Sequence, residues 1–287
     1  MNYASVDEFL HQGQPVLAKG PVALIFCEDE VEIGSTIAHH RRIGFAQVVL
    51  FHPPGLPLPP EAQDTAQVIC DLGARNAVPA ILSRVFARCP ATTWLYWGYN
   101  AEYLIFPFCE TRLAGEMLTF HAEERRSAML CYVIDLYARD LAACPNGVNR
   151  DEALFDSRGY YALERFDREG QRLDRQFDIF GGIRWRFEEH IPWARRRLDR
   201  TALLKPQKGL AMRADFTLSD EEMNTVACAW HHNLTAAVAS FRTAKALKTN
   251  PGSSWAISTF EWPGSARFAW SSRQLLELGM IEPGQWF

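Results

Sequence analysis

Two short apolar segments on either side of a helix-like segment constrain the fold of this chain more than any other feature. Residues Val22 to Cys27 read Val-Ala-Leu-Ile-Phe-Cys, and residues Val48 to Phe51 read Val-Val-Leu-Phe. Each run has the length of a strand that is buried on both faces, while Ile33 to Ile43, stopped by Gly44, has the features of a helix. This βαβ order favours a parallel sheet, with ligands at the carboxyl ends of the strands.

The rest of the chain predicts more elements of the same kinds. The proline-rich segment 53–60 predicts a surface loop, because proline continues neither a helix nor a central strand. Ser5 with Glu8, and Ser219 with Glu222, have the spacing of a capping box at the start of a helix. Further predicted helices are Val6–His11, Ala77–Ala87, Glu123–Leu141 and one or two within 221–247, and further strands are Thr93–Trp97 and Tyr103–Phe108.

These elements predict one α/β domain over residues 1–287. We expect a mostly parallel central sheet flanked by helices, with an N-terminal helical extension over 1–20 and a C-terminal extension over 250–287. Residues 149–215 are rich in charged and aromatic side chains, so we expect irregular structure with short strands there. No internal repeat is present in the sequence.

Composition excludes several classes of function. A hydrophobic content of 48% over 287 residues suffices for a large core, and a net charge of -4 argues against a nucleic-acid partner. The seven cysteines form no CxxC pair, which disfavours a disulfide framework or a zinc site. The polar Met1–Gln14 segment predicts no secretory signal, and no apolar run approaches the ~20 residues of a membrane span. We predict a cytoplasmic protein with no transmembrane segment; peripheral attachment at the inner membrane face stays open.

Polar residues around the βαβ unit resemble those of a known family. The segment Phe26-Cys-Glu-Asp-Glu30, with His39 and His40 on the following helix, is similar to the opening of family-2-related glycosyltransferases. The resemblance implies their nucleotide-sugar-binding GT-A fold. Glu28 is then a candidate for binding the nucleotide, because a carboxylate at a strand's carboxyl end can accept hydrogen bonds from a base or ribose. The histidine pair has a simpler interpretation. The rings either pack on the sheet or lie near the helix C-terminus and interact with the helix dipole.

A second segment, Trp94 to Pro107, resembles the strand and turn that carry the family's Asp-x-Asp-Glu-Phe-Leu motif. In that family the carboxylates hold a divalent ion that neutralises the leaving diphosphate. Tyr99 and Ala101 stand at the two aspartate positions, and only Asn100 and Glu102 remain as oxygen donors. The cofactor therefore stays open, and we expect affinity for Mg²⁺ or Mn²⁺ to be weak. The resemblance further implies that a late histidine, His231 or His232, joins Glu102 in holding the metal.

Arginine and lysine can replace a metal at a diphosphate, because a guanidinium offers bidentate, charge-assisted hydrogen bonds. The segment Gly181 to His190 concentrates such groups beside glycines and carboxylates, and Arg184 and Arg186 would share one face if it were a strand. Arg195–Arg197 has the alternative interpretation of a solvated face. The predicted donor-binding residues are Glu28, Asn100, Glu102, Arg184, Arg186, Lys205 and Arg242, and the predicted catalytic bases are Glu188 and Glu189.

The leading hypothesis is transfer of a sugar from a nucleotide-sugar donor to a hydroxyl of a glycan, lipid or protein acceptor. Loss of the two aspartates keeps open a non-catalytic protein of the same fold that binds a glycan or a partner. A third hypothesis is a metal hydrolase that uses His39, His40, His231 and His232. For the transferase, we expect Glu28, Glu102 and one of His231 and His232 to meet in one cleft.

Overall fold

The computed structural model describes residues 1–226 and 233–286. In this part of the chain it is an α/β structure whose main sheet has eleven strands, with a separate two-stranded hairpin. The main-sheet strands are β1 Asn2–Tyr3, β2 Val22–Phe26, β3 Gln47–His52, β4 Ala66–Ile69, β5 Leu95–Tyr99, β6 Glu102–Ile105, β7 Ala128–Tyr137, β8 Leu154–Asp156, β11 Asp199–Leu204, β12 Ala236–Ser240 and β13 Ser265–Arg267. The hairpin consists of β9 Tyr161–Phe166 and β10 Arg172–Phe180.

Eight α-helices accompany these strands in the described residues. They are α1 Val6–Gln12, α2 Gln14–Leu17, α3 Ile33–Arg42, α4 Ala77–Phe86, α5 Ala114–Glu123, α6 Gly182–Arg186, α7 Arg242–Thr249 and α8 Ser272–Glu277. Short 3-10 turns occur at Pro60–Ala62, Glu188–His190, Trp193–Arg195 and Glu221–Asn224. None of the helices in the described ranges is long and apolar enough to cross a membrane.

The sheet is mixed, so the expectation of a mostly parallel sheet is wrong. The spatial order is β1-β4-β3-β2-β5-β11-β7-β12-β6. The first five strands run parallel, but β11 is antiparallel to both β5 and β7, and β6 is antiparallel to β12. Only residues 100 and 101 separate β5 from β6, which is too short for the crossover that would keep β6 running in the direction of β5. Residues 181–198, which contain α6 and two 3-10 turns, connect β10 to β11.

The predicted βαβ unit is confirmed. β2 pairs in parallel with β3 along its whole length, from Val22 opposite Gln47 to Phe26 opposite Phe51. α3 connects the two strands, and Gly44 follows it with a φ of 98°, a left-handed conformation that glycine adopts without the penalty of a Cβ. The predictions of α1, α4 and β5 are also confirmed, within two residues at each end.

Three predicted elements differ from the structure. Residues 123–141, predicted as a helix, contain β7, because a continuous apolar run fits a buried strand as well as a buried helix. The segment 221–247 contains β12 as well as α7. The Arg184 segment is α6 rather than a strand, since Gly181 and Gly182 have φ values of 149° and 60° and turn the chain into a helix.

Both predicted capping pairs lie where a helical turn begins, but only the first pair forms the predicted hydrogen bond. Ser5 Oγ accepts a hydrogen bond from the Glu8 amide at 3.1 Å, as predicted for the start of α1. At the second pair, the side chain of Asp220 rather than Ser219 caps the 3-10 turn, by accepting from the Glu222 amide at 3.1 Å.

Alternate residues of β2 enter two different cores, which shows that the sheet is covered on both faces. Leu24 and Phe26 pack with α1 and α4, whereas Ala23 and Ile25 pack with α3 and α5. Continuous apolar strands are expected for a sheet buried in this way. Residues 1–20 add β1 to the edge of the sheet as well as α1 and α2, and residues 250–287 include β13, which pairs with β8.

Candidate functional site

The strand order reverses at β2, because β3 lies on one side of β2 and β5 on the other. In open α/β sheets, ligands bind beyond the carboxyl ends of the strands at such a point. A cleft of about 490 Å³ opens here, between the loop that follows β2, the α6 region and α7. Its charged lining residues are Glu28, Asp29, Arg184, Arg195, Arg242 and Lys245, and His190 also lines it.

Glu28 and Arg242 form a bidentate ion pair across the mouth of the cleft. Arg242 Nε and Nη2 donate to the two carboxylate oxygens of Glu28, each at 2.7 Å. The guanidinium carbon of Arg242 lies 3.8 Å from the centre of the Tyr99 ring. The Arg242 guanidinium therefore lies over Tyr99, the residue that the sequence resemblance predicted at the first aspartate position.

Asn100 organises the loop after β2. Its Oδ1 accepts from the Glu28 amide at 2.9 Å, and its Nδ2 donates to the carbonyl oxygen of Val31 at 2.8 Å and to Asp29 Oδ1 at 2.6 Å. Lys245 Nζ completes the cluster by donating to both Asp29 oxygens, at 2.8 and 2.9 Å. Because the buried Asn100 amide is used within the protein, its geometry supports a positioning role rather than contact with a ligand.

Glu102 lies beneath this loop and does not line the cleft. It is fully buried, and its oxygens accept from Arg200 at 2.5 and 3.0 Å, from Ser240 Oγ at 2.9 Å and from the Tyr99 amide at 2.8 Å. Burial alone would raise the pKa of this carboxyl, but Arg200 outweighs burial and holds the pKa at about 2. Glu28 and Glu102 thus lie at the same edge of the sheet, while only Glu28 faces the cleft.

Asp135 is a second buried carboxylate at this edge, and it is not among the site residues predicted from the sequence. Arg184 Nε donates to its Oδ2 at 2.9 Å, and Thr243 Oγ1 donates to its Oδ1 at 2.8 Å. Burial raises the pKa of Asp135, opposed by Arg184. The one sequence signal for it was an acidic residue inside the apolar run that forms β7. Asp135 fixes Arg184 and Thr243, both of which line the cleft.

The other predicted donor-binding cations lie away from the cleft lining. Arg186 makes a bidentate pair with Asp156, at 2.7 and 2.9 Å. Lys205 follows β11, whose antiparallel direction places it at the opposite edge of the sheet, where its Nζ lies 5.2 Å from the centre of a Trp94 ring. The prediction that Lys205 joins a site at the carboxyl edge is therefore wrong for geometric reasons.

The predicted bases lie on the 3-10 turn beside the cleft. Glu188 binds Arg196 at 2.7 Å, and Glu189 lies 3.7 Å from the His190 ring, with both glutamate side chains more than half exposed. Neither lines the cleft, although His190 in the same turn does. Their catalytic role stays a prediction.

The described part of the chain holds no group of three or more His, Cys, Asp or Glu side chains arranged to bind a metal. His39 and His40 are buried and bind backbone carbonyl oxygens, of Leu104 and Thr36 respectively, at 2.8 Å each. This supports packing on the sheet and disfavours the part of the metal-hydrolase hypothesis that rests on them. The predicted metal ligands His231 and His232 lie outside the described residues.

Arg195 differs from the other cations of the cleft. Arg184, Arg242 and Lys245 each contact a carboxylate, whereas the exposed guanidinium of Arg195 has no ion pair or hydrogen bond with residues 1–226 or 233–286. The carbonyl oxygens of Arg195 and Arg197 accept from Arg184 Nη1, at 3.5 and 2.5 Å, which anchors the turn. Arg195 thus offers a cation to an anion that enters the cleft.

Comparison with known proteins does not assign the chain to a group. No family model matches the sequence, and neither a curated protein nor a solved structure gives a significant match.

Proposed function

We propose that this protein binds a nucleotide-sugar donor in the cleft and transfers its sugar to an acceptor hydroxyl, on a fold related to GT-A. The observation that carries the proposal is the position of the charged cleft, at the carboxyl edge of the sheet where the strand order reverses. Glu28, which follows β2, is placed to accept hydrogen bonds from a base or ribose. The sequence resemblance to family-2-related glycosyltransferases supports the same ligand.

The charge of the lining fits a diphosphate. Four cationic side chains face two carboxylates around the cleft, and Arg195 is the one without an ionic partner among the described residues. A guanidinium binds phosphate oxygens through charge-assisted hydrogen bonds, so Arg195 supplies the primary contact. The Arg242 guanidinium, which lies over Tyr99, adds a second positive charge for the phosphates. It takes the place of the metal ion that carboxylates hold in the family motif. This supports binding that does not depend on a metal ion.

A nucleotide-diphosphate titration tests the proposal directly. We expect UDP or GDP to raise the thermal unfolding temperature, and calorimetric titration to give the same affinity in EDTA as in added Mg²⁺ or Mn²⁺. Strict dependence on the added ion would contradict the role given to arginine. Failure of UDP, GDP, CDP, ADP and dTDP to bind under every condition would remove the donor site itself.

Arg195→Ala tests the phosphate contact. We expect about a tenfold loss of affinity for the nucleoside diphosphate, equal to ~1.4 kcal/mol of binding free energy, because a charge-assisted contact disappears. Arg88→Ala is the matched control, since Arg88 is exposed just beyond the end of α4, away from the cleft lining. Equal loss in both variants would mean that general charge, and not this position, attracts the nucleotide.

A non-catalytic donor-binding protein is the second candidate, and one observation favours it. Both carboxylates that line the cleft are held in ion pairs, Glu28 by Arg242 and Asp29 by Lys245, so neither stands free as a general base. Release of nucleotide from the tightest-binding nucleotide sugar, measured with and without acceptors, separates the candidates. Turnover that disappears in Glu188→Gln or Glu189→Gln would support the predicted bases; binding without turnover would support the second candidate.

A further inference from the structure

Three aromatic rings stack at the base of the β9–β10 hairpin, next to the cleft. Phe180 lies between Tyr161 and Trp193, with ring centres 5.4 and 4.9 Å away and interplanar angles of 24° and 27°. Phe180 is 2% exposed, whereas the outer residues Tyr161 and Trp193 are 41% and 60% exposed. The stack thus fixes two aromatic rings in orientations that leave much of their surface open to solvent.

Trp193 connects this stack to the cleft. It begins the turn Trp193–Arg195, and residues on both sides of it, Pro192 and Arg195, line the cleft. The guanidinium carbon of Arg196 lies over the Trp193 ring, 5.6 Å from its centre, and the guanidinium donates to Glu188 and to the Ile191 carbonyl oxygen. Because Trp193 is still 60% exposed, a molecule that extends from the cleft can cover the part of the ring that neither Phe180 nor Arg196 contacts.

We propose that the Trp193 ring is the platform for a saccharide acceptor, on which one pyranose ring packs through its C–H face. This rests on the proposed function, since an acceptor must approach the sugar of a donor held in the neighbouring cleft. A pyranose combines an apolar face with hydroxyls at its edge, which matches a flat aromatic ring bordered by polar groups. Phe180 acts as a positioning residue, because it sets the plane of Trp193 by stacking on it.

The charge of the hairpin favours a neutral saccharide over an anionic membrane. Exposed Leu163 and Phe166 make the hairpin partly apolar, as a membrane contact would require. Residues 161–180, however, carry more carboxylates than arginines, and contain no lysine. Attraction to anionic lipid needs a cluster of basic side chains, which this hairpin lacks. Phe166 lies near the hairpin turn and away from the ring stack. Its substitution therefore distinguishes a membrane contact of the hairpin from saccharide binding at Trp193.

The test uses the full chain on an array of immobilised neutral oligosaccharides, followed by calorimetric titration of the best-bound one. We expect Trp193→Ala to weaken saccharide binding about tenfold and Trp193→Phe to retain most of it, because phenylalanine keeps a ring face. Phe166→Ala is the matched control and should bind as the parent does. UDP or GDP affinity should stay unchanged in Phe166→Ala, and in Trp193→Ala it should fall less than saccharide affinity does, since Trp193 itself does not line the cleft.

Three outcomes would overturn the proposal: no saccharide bound on the array, binding unaffected by Trp193→Ala, or an equal loss in Phe166→Ala. Sedimentation with phosphatidylglycerol vesicles that depends on Phe166 would identify the hairpin as a membrane contact instead. If a saccharide binds through Trp193 while no nucleoside diphosphate binds, the donor site fails and the saccharide platform stands. The two failures are therefore distinguishable.

Discussion

Replacing Arg200 by methionine should lower the free energy of unfolding by about 3–5 kcal/mol, because it leaves a buried carboxylate without its counter-ion. Glu102 is fully buried, and Arg200 is the only cation that the described residues place in hydrogen-bonding contact with it. The guanidinium carbon of Arg200 also lies 4.8 Å from the Trp97 ring centre, so part of its packing is lost as well. Methionine preserves much of the apolar stem and isolates the effect of the charge.

Urea unfolding at pH 7 measures the change in unfolding free energy, and two further variants test its cause. The double variant Glu102→Gln with Arg200→Met should recover most of the loss, since a neutral amide needs no counter-ion and can still bind Ser240 and the Tyr99 amide. Arg112→Met breaks an exposed ion pair with Glu116 on α5 and should leave stability nearly unchanged. A loss below about 1 kcal/mol in Arg200→Met would show that Glu102 takes up a proton instead of remaining charged.

The sequence predicted the part of the fold that depends on local patterning. β2, α3 and β3 have apolar runs and a glycine stop that identify them without tertiary information. β7 was mistaken for a helix because a run of ten mostly apolar residues carries no period that separates the two states. The mixed sheet was missed for another reason: the direction of β11 depends on the path of residues 181–198 between β10 and β11, which the residues of β11 do not encode.

The candidate site was predicted by residue type rather than by role. Glu28, Arg184 and Arg242 do line one cleft, although they are 214 positions apart at the extremes. Asn100 and Glu102 proved to be internal, because the turn after β5 directs one under the loop and the other towards Arg200. Such partners come from distant strands, and a single sequence contains no signal that pairs residue 102 with residue 200.

Acidification from pH 6.5 to 4.5 should cost about 4 kcal/mol of stability, from the two histidines His40 and His121, which are buried in the neutral form. Burial lowers the pKa of His40 and of His121 to about 4, while unfolded histidine titrates near ~6.5. Between these values the unfolded chain binds one more proton per histidine than the folded protein does. Stability is therefore fully present above pH 6.5 and is lost as the pH falls towards 4. His39, whose pKa burial also lowers, adds to the effect.

The slope of unfolding free energy against pH identifies these residues. One proton each for His40 and His121 corresponds to a slope of about 2.7 kcal/mol per pH unit near pH 5.5. This slope is large beside a typical unfolding free energy of ~5–15 kcal/mol. Urea unfolding at half-unit steps from pH 7 to pH 4.5 measures the slope. His121→Phe should reduce it by about one proton, because an aromatic ring remains in the buried position but no longer titrates. A stability that stays constant down to pH 4.5 would mean that the buried rings gain water or partners on protonation, and the cost assigned to their burial would be wrong.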